Sequence, residues 1–264
     1  MVGPHKTNLG NPRRTAMTFV SSLQALPKVH TWRGSLSPEA TAELKRHLSE
    51  RRLVAGEALY YFGEAADCGY QIVTGRIEIN SFTSIGREYV AGSLGEGDTL
   101  GDLGLVNGGL RFNNAVALTE TKVNVLKRSD YLTLIRKYPE VSQKMAEMLG
   151  YRYQSLFGMI QDAYLLPLYQ RLGRIVVRMV LAQTGASPSG AITLEDCSQE
   201  KLGQMAGATR QSVGREMKKM ESAGLIQIDY KRVTVLDFKA MVKSFGSVVE
   251  YEPLTSAQFP IAMS

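Results

Sequence analysis

The feature that most constrains this chain is a change of period at Pro139. Upstream, from about residue 53 to 126, short β-rich runs are punctuated by glycine; downstream, apolar residues recur at helical spacing. Residues 60–62, 70–73, 76–82, 89–94 and 122–126 each read as a strand, with turn signals at Gly56, Gly63, Gly75, Gly86 and Gly97. Regular short strands of this kind imply a small antiparallel sandwich or barrel. After Pro139, Met145, Leu149, Arg152, Leu156, Met159, Ala163 and Leu166 alternate spacings of four and three. That is the period of a coiled-coil seam or of a long core-facing stripe. The length of the run favours a dimer, and so does Arg152 in mid-seam: a charge is costly in a monomer core but can fix register between two helices.

The bulk properties exclude several classes. The chain has 264 residues, 44% hydrophobic and 21% charged, which is ordinary for a soluble globular protein. It contains no apolar run long enough to span a bilayer, so no membrane partner is expected. The first 30 residues carry Lys6, Arg13, Arg14 and Lys28 without an acid and read as a mobile basic arm; an organelle-targeting segment is the alternative. Cys68 and Cys197 stand apart with no metal-ligand spacing, so no metal site is expected and a reducing cytoplasm fits best. His5, His30 and His47 all lie near the N-terminus and read as surface residues. No nucleophile, base and orienting group converge by motif, so the chain does not read as an enzyme.

Charge is concentrated near the other end. Residues 165–243 hold twelve lysines and arginines against seven acids, which points to a polyanion and first of all to nucleic acid. Within that region "SQEKLGQMAGATRQSVGREMKKMESAGLI" begins as a short helix with Leu202, Met205 and Ala206 inward. Gly207 permits a tight turn, and Thr209 is a good N-cap for a second helix. Val213, Met217 and Met220 mark the buried stripe of that helix. Arg210, Gln211, Arg215 and Lys218 then fall on its exposed side, with Ser212 and Lys219 beside them and Gly214 where bulk would obstruct close approach. Arginine donates two bonds to guanine, glutamine pairs with adenine, and lysine meets phosphate, so this face suits a major groove. "LIQIDYKRVTVL" adds two strands around Lys231 and Arg232, a wing able to touch the DNA backbone.

"LGDLGLVNGGLRFNNAV", residues 100–116, is a second candidate site: a glycine-rich stretch with one acid and one arginine, suited to a small anion. Together with the "LGRI" run at 172–175 and "ATRQSVGREMKKMESAGLI", it resembles the CRP/FNR family of bacterial transcription regulators over residues 40–236. The resemblance implies an α+β chain with a double-stranded β-helix (jelly-roll) sensor domain, a long dimerisation helix and a C-terminal winged helix-turn-helix. The corresponding divisions are an arm over 1–35, the roll over 36–138, the helix over 139–166, the winged module over 167–240 and a tail over 241–264. It implies a homodimer on a two-fold double-stranded DNA site, RNA polymerase as a further partner, and Arg210, Gln211 and Arg215 at the base-reading positions. The family often carries glutamate where Gln211 stands, so the half-site is expected to differ there.

The resemblance also assigns an effector site for a cyclic nucleotide or cyclic dinucleotide. Its binding members carry glycine, glutamate and leucine, then arginine and a hydroxyl residue about ten positions on. Here the series is Gly101, Asp102 and Leu103, then Arg111, Phe112 and Asn113, and an alternative register puts Asn113 in the arginine's place. The two hydroxyl residues that meet the purine fall at Met159 and Ile160, which cannot hydrogen-bond a base edge. Classical cyclic AMP control is therefore not expected. A different anionic effector, a cassette kept only for its backbone shape, and a nucleotide module acting on a protein partner remain open readings. In the first, the roll would bias the two recognition helices through the seam from Met145 to Leu166.

Overall fold

The computed structural model describes residues 31, 33, 36–184, 188 and 190–246. Of the expected basic arm, Thr31 and Arg33 are among them; the rest of the arm and residues 247–264 of the tail lie outside the described residues. The first domain runs α1 (Pro38–Arg46), β1 (Leu48–Leu53), β2 (Ala58–Tyr60), β3 (Cys68–Thr74), β4 (Ile77–Phe82), β5 (Glu88–Leu94), β6 (Thr99–Leu100), α2 (Asp102–Asn107), β7 (Asn114–Ala117), β8 (Thr121–Lys127) and α3 (Arg128–Lys137). Its strands form two antiparallel four-stranded sheets, β1-β8-β3-β6 and β2-β7-β4-β5. This is the jelly-roll, and it adds β1, β6 and β7 to the strands read from sequence. The first expected strand also moves: β2 ends at Tyr60, where 60–62 was expected, because residues 62–66 turn to bond the loop around Arg111.

Two cores hold this domain. Between the sheets lie Leu53, Leu59, Tyr60, Tyr70, Ile72, Ile77, Leu100, Ala115, Ala117 and Val123. Outside them, Leu44 of α1, Leu105 of α2, and Tyr131 and Leu134 of α3 pack with Val141, Met145 and Met148. These last three belong to the long helix α4 (Pro139–Leu165), which begins with proline at its first turn, where the missing amide costs nothing.

The docking of α4 corrects the expected seam. Met145 is buried against the roll, and Arg152 turns into the roll to meet Asp102, so neither is part of an exposed seam. The apolar stripe left in solvent is Tyr153, Leu156, Phe157, Ile160 and Tyr164. Period shows that a helix has an apolar side; it does not show which partner covers each part of it. Here the first turns of α4 serve the roll's own core and the later turns face outward.

The C-terminal domain comprises α5 (Leu168–Thr184), β9 (Ile192–Leu194), α6 (Gln199–Ala206), α7 (Arg210–Ser222), β10 (Ile226–Asp229), β11 (Arg232–Val235) and α8 (Phe238–Phe245). Its core joins Leu172, Val176 and Val180 of α5 to Leu202 of α6 and to Val213, Met217 and Met220 of α7, beneath the sheet β10-β11-β9. Helix α8 crosses the expected boundary at 240: its Met241 and Phe245 close this core. Asp162 near the end of α4 is buried between Arg174 and Arg178 of α5, each 2.5 Å away, and this triad fixes the join between the two domains. Among the described residues no helix is long and apolar enough to cross a membrane.

Candidate nucleic-acid interface and anion cassette

The helix-turn-helix forms because each junction has a local cause. Ser198 caps α6 by accepting from the Lys201 amide. Gly207 ends the helix at φ 64°, a left-handed conformation that a side chain would resist. Thr209 then caps α7, its side chain accepting from the Ser212 amide. With Val213, Met217 and Met220 fully buried, the helical period forces Arg210, Gln211, Arg215, Lys218 and Lys219 into solvent. Ser212 is half-buried, and its hydroxyl accepts from Arg215 at 3.3 Å, which orients that guanidinium. Lys219 pairs with Glu216 at 2.9 Å on the far side of the stripe.

The wing tip is the turn between β10 and β11. Tyr230 is exposed there, and the Lys231 ammonium lies 5.6 Å from its ring centroid. Lys231 takes a positive φ of 55°, and its carbonyl accepts from the Cys197 amide at 2.7 Å. Arg232 follows, also exposed, 4.0 Å from Glu195. The candidate DNA residues thus lie in the C-terminal domain on two elements, α7 and the turn between β10 and β11. At Gly214 a Cβ would lie 3.0 Å from Gln199 Oε1, so this glycine also faces the Gln199 side chain at the start of α6.

The cassette is arranged otherwise. Gly101, at φ 74°, turns the chain from β6 into α2, and a Cβ at that position would meet Arg111 Nη1 at 2.7 Å. Asp102 is buried, and its carboxylate pairs with Arg152 of α4 at 2.8 Å; the same guanidinium donates to the Thr99 carbonyl at 2.7 Å. Arg111 is buried too, its guanidinium carbon 4.3 Å from the Tyr60 ring centroid and 5.4 Å from that of Tyr70. It donates to the Cys68 carbonyl at 2.7 Å, while its Nε has no hydrogen-bond partner. Burial raises the Tyr60 phenol to about 12 and pushes Tyr70 up as well, so both rings stay neutral beside the cation.

The remaining cassette candidates spread outward. Leu103 and Phe112 are exposed and Asn113 is half-buried. Met159 is half-buried and Ile160 exposed on α4, and neither belongs to a hydrophobic core cluster among the described residues. The residues therefore fit a group of one chemistry and not of another. A buried arginine with an unanswered Nε is suited to an anion, whereas Met159 and Ile160 are apolar side chains and Asp102 is already paired with Arg152.

Comparison with known proteins bears on both sites. Residues 50–138 match the cyclic nucleotide-binding domain, and residues 170–243 match the Crp-like helix-turn-helix domain. The chain belongs to the CRP/FNR family of transcription regulators. A CRP-like cAMP-activated global transcriptional regulator of Mycobacterium tuberculosis is 24% identical over 209 residues, covering 79% of this chain and 93% of that one. Among solved structures, FixK2 from Bradyrhizobium japonicum superposes with a TM-score of 0.65 at 19% identity, over 76% of this chain and 98% of its own. The c-di-GMP responsive regulator CLP of Xanthomonas campestris gives 0.64 at 20% identity, over 75% and 98%. These structures share the CRP/FNR fold seen here.

Three features of this chain are not evident from its sequence. Sequence reading placed Arg152 between subunits, although a basic residue on α4 and a lone acid in the cassette were both visible. It gave Asp162 no role; the signal was an isolated acid in an apolar helix shortly before Arg174 and Arg178. It also left Asn80 and Asn114, which are buried inside the roll, without comment.

Proposed function

We propose that this CRP/FNR chain is a homodimeric, sequence-specific regulator that reads double-stranded DNA with Arg210, Gln211 and Arg215 and takes an anionic effector at Arg111. The observation that carries the DNA reading is the exposed donor stripe on α7, held by a capped turn, backed by a fully buried apolar stripe and flanked by a basic wing. Lys218, Lys219, Lys231 and Arg232 meet phosphate, and Thr209 and Ser212 set the start of the helix. The dimer reading rests on Tyr153, Leu156, Phe157, Ile160 and Tyr164, an exposed apolar stripe at coiled-coil spacing that a second copy would cover. A dimer of this kind presents two recognition helices to successive major grooves and so calls for a site with two-fold symmetry.

In the roll, the residues that would hold a phosphate-bearing effector are Gly101 and Arg111. The named relatives include one activated by cAMP and one responsive to c-di-GMP, and the buried cation suits the phosphate that both carry. Asp102 is engaged by Arg152, so anion binding at Arg111 acts next to the point where α4 is tied to the roll. Calorimetric titration with cyclic AMP, cyclic di-GMP and inorganic phosphate, with Arg111→Ala as control, tests this part. Heat that disappears in the variant supports it, and no heat with any of the three overturns it.

Selection of duplexes from a random pool by the full chain tests the DNA reading. Two-fold sites should be enriched, and Gln211→Glu should change one base pair per half-site away from adenine and towards cytosine. Enrichment of no common sequence would overturn sequence-specific reading.

A further inference from the structure

The roll interior contains two buried amides that an apolar core would ordinarily exclude, Asn80 of β4 and Asn114 of β7. Each is satisfied by a neighbour, and the bonds form a line. The Phe62 amide donates to Asn114 Oδ1 at 2.8 Å, and Asn114 Nδ2 donates to Asn80 Oδ1 at 3.0 Å. Asn80 Nδ2 in turn donates to Glu88 Oε1 at 2.9 Å. The other oxygen of that carboxylate, Oε2, accepts from Gln204 Nε2 at 2.7 Å. Gln204 belongs to α6, the first helix of the DNA-reading pair, so Glu88 holds one donor from each domain.

Both ends of the line touch a candidate site. Phe62 lies in the loop whose next amide, Gly63, donates to the Arg111 carbonyl at 2.8 Å, while the Arg111 amide donates to the Glu64 carbonyl at 2.8 Å. At the far end α6 supports α7 directly, because Gln199 packs on Gly214. A second link runs beside the first. Lys201 of α6, itself mostly buried, pairs with Glu78 of β4 at 2.8 Å and with Asp196 at 2.6 Å. Burial works against the Lys201 ammonium, but the bonds to Asp196 and Glu78 outweigh it and hold the group above the usual lysine range. The residue after Asp196, Cys197, donates its amide to the Lys231 carbonyl at the wing tip.

We propose that the line Asn114–Asn80–Glu88–Gln204, with the Glu78–Lys201–Asp196 bridge beside it, couples the loop around Arg111 to α6 and the wing. This rests on the reading of α7 and the wing as the DNA-contacting surface and names how that surface is regulated. Every member is a polar group whose partner is the next member, so displacement at one end leaves a buried group unpaired unless the rest follows. The donors from both domains converge on Glu88, which is the position where the coupling can be cut.

Hydrogen exchange at the Phe62 amide in the full chain tests this, with the Val123 amide in the opposite sheet as reference. Gln204→Ala is expected to speed Phe62 exchange about threefold or more while leaving Val123 unchanged. Gln204→Lys restores a donor to Glu88 and is expected to return the rate to that of the wild type. A duplex selected by the wild-type chain is expected to shift Phe62 exchange, and this shift should be lost in Glu88→Ala. If the duplex binds but Phe62 responds neither to it nor to Gln204→Ala, the coupling is overturned and the DNA reading stands. If no duplex binds while Gln204→Ala still speeds Phe62 exchange, the line between domains stands and the DNA reading falls.

Discussion

The two candidate sites use the same kinds of residue in opposite ways. On α7 the arginines and the glutamine are exposed, directed outward by a buried stripe beneath them; in the cassette the arginine and the acid are buried and already held by other groups. Arg210 and Arg215 pay no desolvation cost before a partner arrives, whereas Arg111 has exchanged water for two tyrosine rings and a carbonyl. The difference teaches that the surface proposed to read DNA is assembled in the chain as it stands. An effector at the cassette, as proposed, would have to displace existing contacts, and Asp102 and Arg152 tie the cassette to the long helix. A site built in the second way is suited to switching, because its contacts change when it is filled.

The comparison can be broken at either site. The largest effect is expected from Met217→Ala, which opens a cavity beneath the DNA-reading stripe and should cost about 3 kcal/mol in denaturant unfolding. Asp102→Ala leaves the partly exposed Arg152 without its carboxylate, and a loss of about 2 kcal/mol should appear in the transition of the roll. Arg215→Ala should leave unfolding unchanged while weakening binding to a selected duplex by about tenfold or more, measured by anisotropy. Equal stability losses for Asp102→Ala and Arg215→Ala would erase the contrast. The smallest change is expected at the helix start, where Thr209→Ala should cost about 1 kcal/mol through loss of the cap.

Much of the C-terminal module was legible in sequence because its signals are local. The turn glycine, the cap and the inward residues at positions 213, 217 and 220 lie within one short stretch, and the structure has each in its expected place. The roll was legible in outline only. Strand β1 escaped because "LSERRL" is an edge strand with four consecutive exposed residues, so no alternating pattern marks it. Strand β7 escaped because "NAVA" is short and its buried residues are an asparagine and two alanines. The cassette's state was not legible at all, since the groups that fill it, Tyr60, Tyr70 and Arg152, come from far along the chain and meet only in the fold. Arg152 makes the same point: its residue type was informative, but its partner was set by tertiary packing.

The salt dependence of duplex binding tests the central claim most directly. For an exposed, ready-made basic surface, log K for a selected duplex should fall linearly with log salt, and Lys218→Ala should reduce the slope by about 1. Arg111→Ala should leave that slope unchanged, because Arg111 is buried in the roll. A flat salt dependence, or a slope that responds to Arg111→Ala and not to Lys218→Ala, would contradict the account.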